Sequence, residues 1–86
     1  MIKKSVTINL ENGLEARPIA LLVQKASQHE SSVYIESGDK RVNAKSIMGM
    51  MSLGLNSGEV LTVVADGSDE NEAVCDIEKF LSGESA

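Results

Sequence analysis

The chain has no tryptophan, and its 86 residues include one tyrosine, one phenylalanine, one proline, one histidine and one cysteine. So few rings argue against a site that stacks nucleic-acid bases on aromatic side chains. The core must therefore be built from Val, Ile, Leu, Met and Ala packed between layers. A solitary Cys75 excludes an intramolecular disulfide and a cysteine-based metal site, which fits a reducing compartment. No apolar run reaches membrane-spanning length. Met1 to Leu10 alternates polar and apolar residues instead of forming the hydrophobic stretch of a signal peptide. A soluble cytoplasmic protein without membrane contact is expected. The formal charge is −5, so the basic footprint of direct nucleic-acid binding is also missing. Residues 1–46 hold seven Lys and Arg against five Asp and Glu, whereas 47–86 hold only Lys79 against eight acids. Arg17 and Lys45 thus fall in the less acidic half.

What is present is a regular alternation of patterns within a length suited to one domain, residues 1–86, with one modest core. Val6, Ile8 and Leu10 alternate with polar residues as in a half-buried strand. Pro18 starts a segment with Ile19, Leu22, Val23 and Ala26 at helical spacing, which predicts an amphipathic helix over about 16–28. Val33 and Ile35, the turn residues Ser37-Gly38-Asp39, and Arg41-Val42-Asn43 read as a hairpin. A helix of about two turns fits Ile47 to Met51, closed by Gly54 and Asn56-Ser57-Gly58. Val60 to Ala65, apolar at nearly every position, reads as a central strand. Asp69 and Glu72 have capping-box spacing ahead of a last helix whose stripe is Ala73, Val74, Ile77 and Leu81. The order β-α-β-β-α-β-α defines an α+β, two-layer open-faced sandwich: a four-stranded antiparallel sheet with three helices on one face. Only Gly83 to Ala86 is expected to fray.

Two stretches carry chemistry, and both lie where a loop enters a helix. In Gly13-Leu14-Glu15-Ala16-Arg17-Pro18, the unpaired N–H groups of a helix start and the Arg17 fork favour an anion. The plainer reading, an acid in a helix first turn beside a surface cation, carries more weight on physical grounds alone. In Asn43 to Leu53, Ser46 is placed as an N-cap. The sharper reading is a regulatory phosphorylation site, because a helix start tolerates the added negative charge. Met48 and Met51 serve either as core filler or as an exposed docking face, and periodicity leaves both open.

The first stretch resembles the active-site signature of HPr, the histidine-containing phosphocarrier of bacterial sugar uptake, with Glu15 where the phosphorylated histidine stands. Val42-Asn43-Ala44-Lys45-Ser46-Ile47-Met48-Gly49 with Met51-Ser52-Leu53 resembles the regulatory-serine segment of HPr proteins from Gram-positive bacteria. The two motifs keep the family's spacing, and the resemblance covers almost the whole chain. It implies a non-enzymatic protein in which Arg17 matches the phosphate-steadying arginine while the nucleophile is absent. The catabolite-repression HPr-like subgroup also lacks the histidine and retains the serine. There, an ATP-dependent HPr kinase/phosphorylase modifies the serine, and the product is corepressor to a LacI-type regulator. By position, the resemblance implies docking through Ala16, Arg17, Ala20, Gln24, Ile47, Met48, Met51 and Ser52. Enzyme I and sugar-specific transporter components are the partners of the alternative, a diverged or engineered phosphocarrier. A third alternative is a binding module that uses the fold without phosphorylation. The charge of Glu15 would imitate a phosphohistidine imperfectly, or repel a partner. Some HPr-like proteins exchange their first strand, so a monomer or a weak strand-swapped dimer is expected, with Asn12-Gly13 as the hinge.

No cofactor or metal is implied. His29 is expected as solvated surface, Cys75 as a reduced, partly exposed thiol, and the acids Asp66, Asp69, Glu70 and Glu72 as a loop and helix start without the ligand pattern of a calcium loop.

Overall fold

In a computed structural model of the chain, residues 1–10 and 16–83 are described. The elements are β1 (Ile2–Thr7), α1 (Ala16–Ser27), β2 (Ser32–Ser37), β3 (Lys40–Asn43), α2 (Ile47–Met51), β4 (Val60–Asp66) and α3 (Glu70–Leu81). The strands form one antiparallel sheet in the order β1-β4-β2-β3. β4 thus lies between β1 and β2, splitting the β-α-β unit that precedes it.

That central place explains the apolar run in β4. Leu61, Val63 and Ala65 face the helices and join the core, alternating along the strand as the pleat requires. Val64 points to the other face, yet it too is buried, with Lys3 and Tyr34 as its neighbours across the two strand pairs. Nearby on this helix-free face, the Arg41 guanidinium lies 4.3 Å from the Tyr34 ring centre, and its Nε is 3.8 Å from Glu36.

The helices cover the opposite face. Ile19, Leu22, Val23 and Ala26 from α1 and Ala73, Val74, Ile77, Phe80 and Leu81 from α3 meet Val6, Val33, Ile35 and the inward residues of β4. The helical spacing seen in the sequence marks the buried stripes, to which the structure adds Phe80. α2 spans the expected Ile47–Met51, five residues with only Met50 buried. β1 runs earlier than expected, from Ile2 to Thr7; Ile8 continues its path, donating to the Glu59 carbonyl and accepting from the Gly58 N–H. Gly38, at φ +58°, opens the two-residue turn between β2 and β3, a conformation that glycine adopts without steric cost.

The start of α3 corrects the expected capping box. Asp69 occupies the N-cap position but makes no side-chain cap bond to its own helix. Its carboxylate turns to the segment before β2, accepting from the backbone N–H groups of Glu30 (3.0 Å) and Ser31 (2.9 Å) and from the Ser31 hydroxyl. Three donors, two of them obligatory backbone groups, outcompete the single bond that capping would have provided. Gly67 packs closely here, because a Cβ at that position would lie 2.7 Å from the Ser31 Cα.

Candidate functional site

The approach to Ser46 is shaped by Asn43. Its side-chain oxygen accepts from the Lys45 N–H at 2.8 Å, and its carbonyl accepts from the Ser46 N–H at 3.0 Å, the local bonding that lets asparagine set a turn. Ser46 then leaves extended backbone, and its hydroxyl accepts from the Gly49 N–H at 3.2 Å, so the expected N-cap is present. Ser46 as a whole is half-buried.

Met48 and Met51 are not core filler. Met50 is the core residue of α2, while Met48 is 85% exposed and Ile47 and Met51 are about half exposed. α2 packs against α1, which leaves Arg17, Ala20, Leu21 and Gln24 on its own outer surface. Residues three and four apart share one side of a helix, so these four form a row. Ser52 is exposed, and its hydroxyl donates to the Gly49 carbonyl at 2.6 Å. The fold therefore brings Arg17, Ala20 and Gln24 onto one helix and Ile47, Met48, Met51 and Ser52 onto or beside the next. Glu15, the Asn12-Gly13 hinge and the side chain of Ala16 lie outside the described residues.

A second polar cluster joins the end of α1 to the start of α3, and it corrects the reading of His29 as solvated surface. The His29 side chain is 14% exposed, with Nδ1 3.3 Å from Asp69 Oδ2 and Nε2 3.1 Å from Asp76 Oδ2. The Ser31 hydroxyl, then the Ser31 and Glu30 N–H groups and His29, hold the Asp69 carboxyl well below the usual carboxylate range. The cluster reaches Ser46 through Lys45, whose ammonium donates to the His29 carbonyl at 2.8 Å. No local pattern announces this arrangement, because Asp69 and Asp76 come from an element about forty residues beyond His29.

Among the described residues no group of three or more His, Cys, Asp or Glu is placed to hold a metal ion, and no helix is long and apolar enough to cross a membrane. Cys75 is a free, exposed thiol on α3.

An open-faced sandwich with a serine at the start of a short, apolar-faced helix defines a class that comparison with known proteins makes specific. The family model described as "PTS HPr component phosphorylation site" matches residues 2–83, and the chain belongs to this family. Within it, the HPr-like protein Crh of Halalkalibacterium halodurans is 46% identical over 84 residues, 98% of this chain and 100% of the relative. The crystal structure of a phosphocarrier protein HPr from Bacillus anthracis superposes with a TM-score of 0.90 at 44% identity, covering 93% of this chain and 95% of that one. The Bacillus subtilis catabolite-repression protein Crh, whose crystal structure is described as a domain-swapped dimer, superposes at 0.80 with 43% identity, covering 100% and 99%. The chain is thus a Crh-like member of the HPr family of phosphocarrier proteins.

Proposed function

We propose that the protein is a cytoplasmic regulator of bacterial carbon metabolism, phosphorylated on Ser46 by an ATP-dependent HPr kinase/phosphorylase and acting in that form as corepressor to a LacI-type regulator. The observation that carries this reading is the pairing of a half-buried Ser46, at the N-cap of α2, with the exposed Ile47, Met48 and Met51. In the kinase reaction the Ser46 oxygen bonds to the γ-phosphorus of ATP, ADP departs, and the hydroxyl proton passes to a base of the kinase. Phosphoserine adds about −1.5 to −2 charges at the helix start without burying them. Partners then meet charge and apolar surface together, through Ala16, Arg17, Ala20, Gln24, Ile47, Met48, Met51 and Ser52. The similarity to Crh proteins supports this assignment.

Glu15 offers no imidazole, so a phosphohistidine cannot form at that position. Incubation with ATP and a Gram-positive HPr kinase, followed by peptide-level mass spectrometry, is expected to place one phosphoryl group on Ser46. Phosphoenolpyruvate with enzyme I is expected to add none. An unmodified Ser46 in the first reaction would remove the proposal.

The phosphocarrier similarity favours one alternative, a diverged or engineered carrier that serves enzyme I and sugar-specific transporter components. Ready phosphorylation of Glu15→His by enzyme I would show its docking surface intact. The swapped dimer described for the Bacillus subtilis relative also supports weak exchange of β1 between copies. A single monomeric mass across a concentration series in light scattering would count against it.

A further inference from the structure

The peptide between His29 and Glu30 is held at its two ends by opposite charges. Its carbonyl accepts from the Lys45 ammonium at 2.8 Å, and its N–H donates to Asp69 Oδ2 at 3.0 Å. Because a peptide is planar, the two bonds together set one orientation. Each also polarises the amide in the sense that strengthens the other. The His29 ring holds the same residue from the side of α3, between Asp69 and Asp76. Lys45 immediately precedes Ser46, and its backbone is fixed by Asn43. A continuous line of charge-assisted contacts therefore runs from the residue beside Ser46, through one peptide plane, to the first residue before α3.

We propose that this peptide is a relay between Ser46 and α3: a phosphoryl group on Ser46 draws the Lys45 ammonium off the His29 carbonyl, and the bond from the Glu30 N–H to Asp69 loosens as a result. The inference rests on the reading of Ser46 as the phosphoacceptor. A carbonyl is a neutral acceptor, whereas phosphoserine carries about −1.5 to −2 charges and three acceptor oxygens. The bond to the carbonyl has one ionised partner, whereas a bond from Lys45 to phosphoserine has two and adds the direct attraction of opposite charges. The flexible four-carbon stem of lysine lets its ammonium exchange one acceptor for the other without moving the backbone. Lys40 and Lys25 have other contacts: Lys40 donates to the Ser52 carbonyl at 3.4 Å, and Lys25 lies 3.6 Å from Asp76. Modification at α2 would then be felt at the start of α3, away from the Ile47, Met48 and Met51 surface.

The test compares ¹H–¹⁵N spectra and amide exchange of the unmodified protein, of Lys45→Met, of protein carrying phosphoserine at position 46, and of the combination. The phosphoserine is incorporated during translation, so a kinase that fails to modify Ser46 counts against the proposed function alone and leaves the relay testable. In Lys45→Met the Glu30 amide proton is expected to move upfield and exchange about tenfold faster, the worth of one charge-assisted bond. The Leu61 to Ala65 amides should be unchanged. Phosphoserine should reproduce the Glu30 shift and add nothing further in the Lys45→Met background, since both act through one ammonium. Lys45→Arg, which keeps a cationic donor, should restore the unmodified signal. A Glu30 amide indifferent to Lys45→Met would overturn the relay. So would one indifferent to phosphoserine, or one that phosphoserine shifts equally with and without Lys45.

Discussion

α2 and α3 both begin at a residue suited to capping, yet they use it in opposite ways. Ser46 caps its own helix through the Gly49 N–H and remains partly exposed. Asp69 leaves its helix uncapped and binds the segment before β2 instead. α3 is twelve residues long and buries five side chains, whereas α2 is five residues long and buries Met50 alone. The contrast separates a helix that builds the domain from one that displays a surface. A polar group committed to tertiary bonds cannot be modified without losing those bonds itself, and one that only caps a surface turn can.

The sharpest way to break that contrast is to remove packing from α3. Ile77 is fully buried between the helices and the sheet. Ile77→Ala is expected to destabilise the protein by about 2–5 kcal/mol, through lost transfer energy and the residual cavity. Urea unfolding with an unchanged slope and a lower midpoint would show it. In a domain of this size, with an ordinary stability of about 5–15 kcal/mol, such a change threatens folding at physiological temperature.

A smaller effect comes from acid. The bonds to Asp69 hold its carboxyl below the usual carboxylate range in the folded protein. A depressed carboxyl contributes stability that is fully present above its unfolded value, near pH 4, and is lost as pH falls through the lower folded value. Asp69→Asn should therefore lower the melting temperature at neutral pH and flatten its decline below about pH 4. Melting curves of the two proteins should draw closer as pH falls from 4 to 2, without yet meeting there; parallel curves would mean that Asp69 is not a source of the acid sensitivity.

These two residues also mark what the sequence could and could not disclose. Ile77 belongs to a stripe repeated every three or four residues, and that period survives whatever the helix packs against. The apolar run of β4 was legible for the same reason, as was the Ser46 cap, which needs only Gly49 three residues on. Asp69 and Glu72 match a capping box just as well, yet Ser31 and Glu30 claim the carboxylate from nearly forty residues away. His29 fails in the same manner: an imidazole between polar neighbours reads as surface until the fold supplies Asp69 and Asp76. The face of α2 was undecidable because Met48, Met50 and Met51 are equally apolar, and only their direction from the backbone makes Met50 core. Helix starts disclose local bonds, while contacts between elements depend on topology.

Back on α2, Ser46→Ala removes the cap without touching the core. The cost should lie within about 0.5–2 kcal/mol and toward its lower end, because the helix is short and at the edge of the domain. Faster amide exchange should appear at Gly49, while the β4 amides keep their protection. Ser46→Asp supplies another capping oxygen and should recover most of the loss. Equal destabilisation by Ala and Asp would show that the hydroxyl contributes something other than a cap.

The smallest stability change is expected at Met48, and it bears most directly on why the two helices differ. A methionine side chain that is 85% exposed gains almost nothing from folding, since it stays in water in both states. Met48→Ser should thus leave stability within about 0.5 kcal/mol of the parent, as surface substitutions generally do. If α2 exists to display its apolar side, the same substitution should weaken binding of the phosphorylated protein to a LacI-type regulator by about tenfold or more, as loss of a buried apolar contact in an interface does. Titration calorimetry beside a thermal melt reads both quantities from one preparation. Unchanged affinity with unchanged stability would leave Met48 outside the interface and shift the docking role to Ile47 and Met51. A large loss of stability would contradict the exposure of the side chain itself.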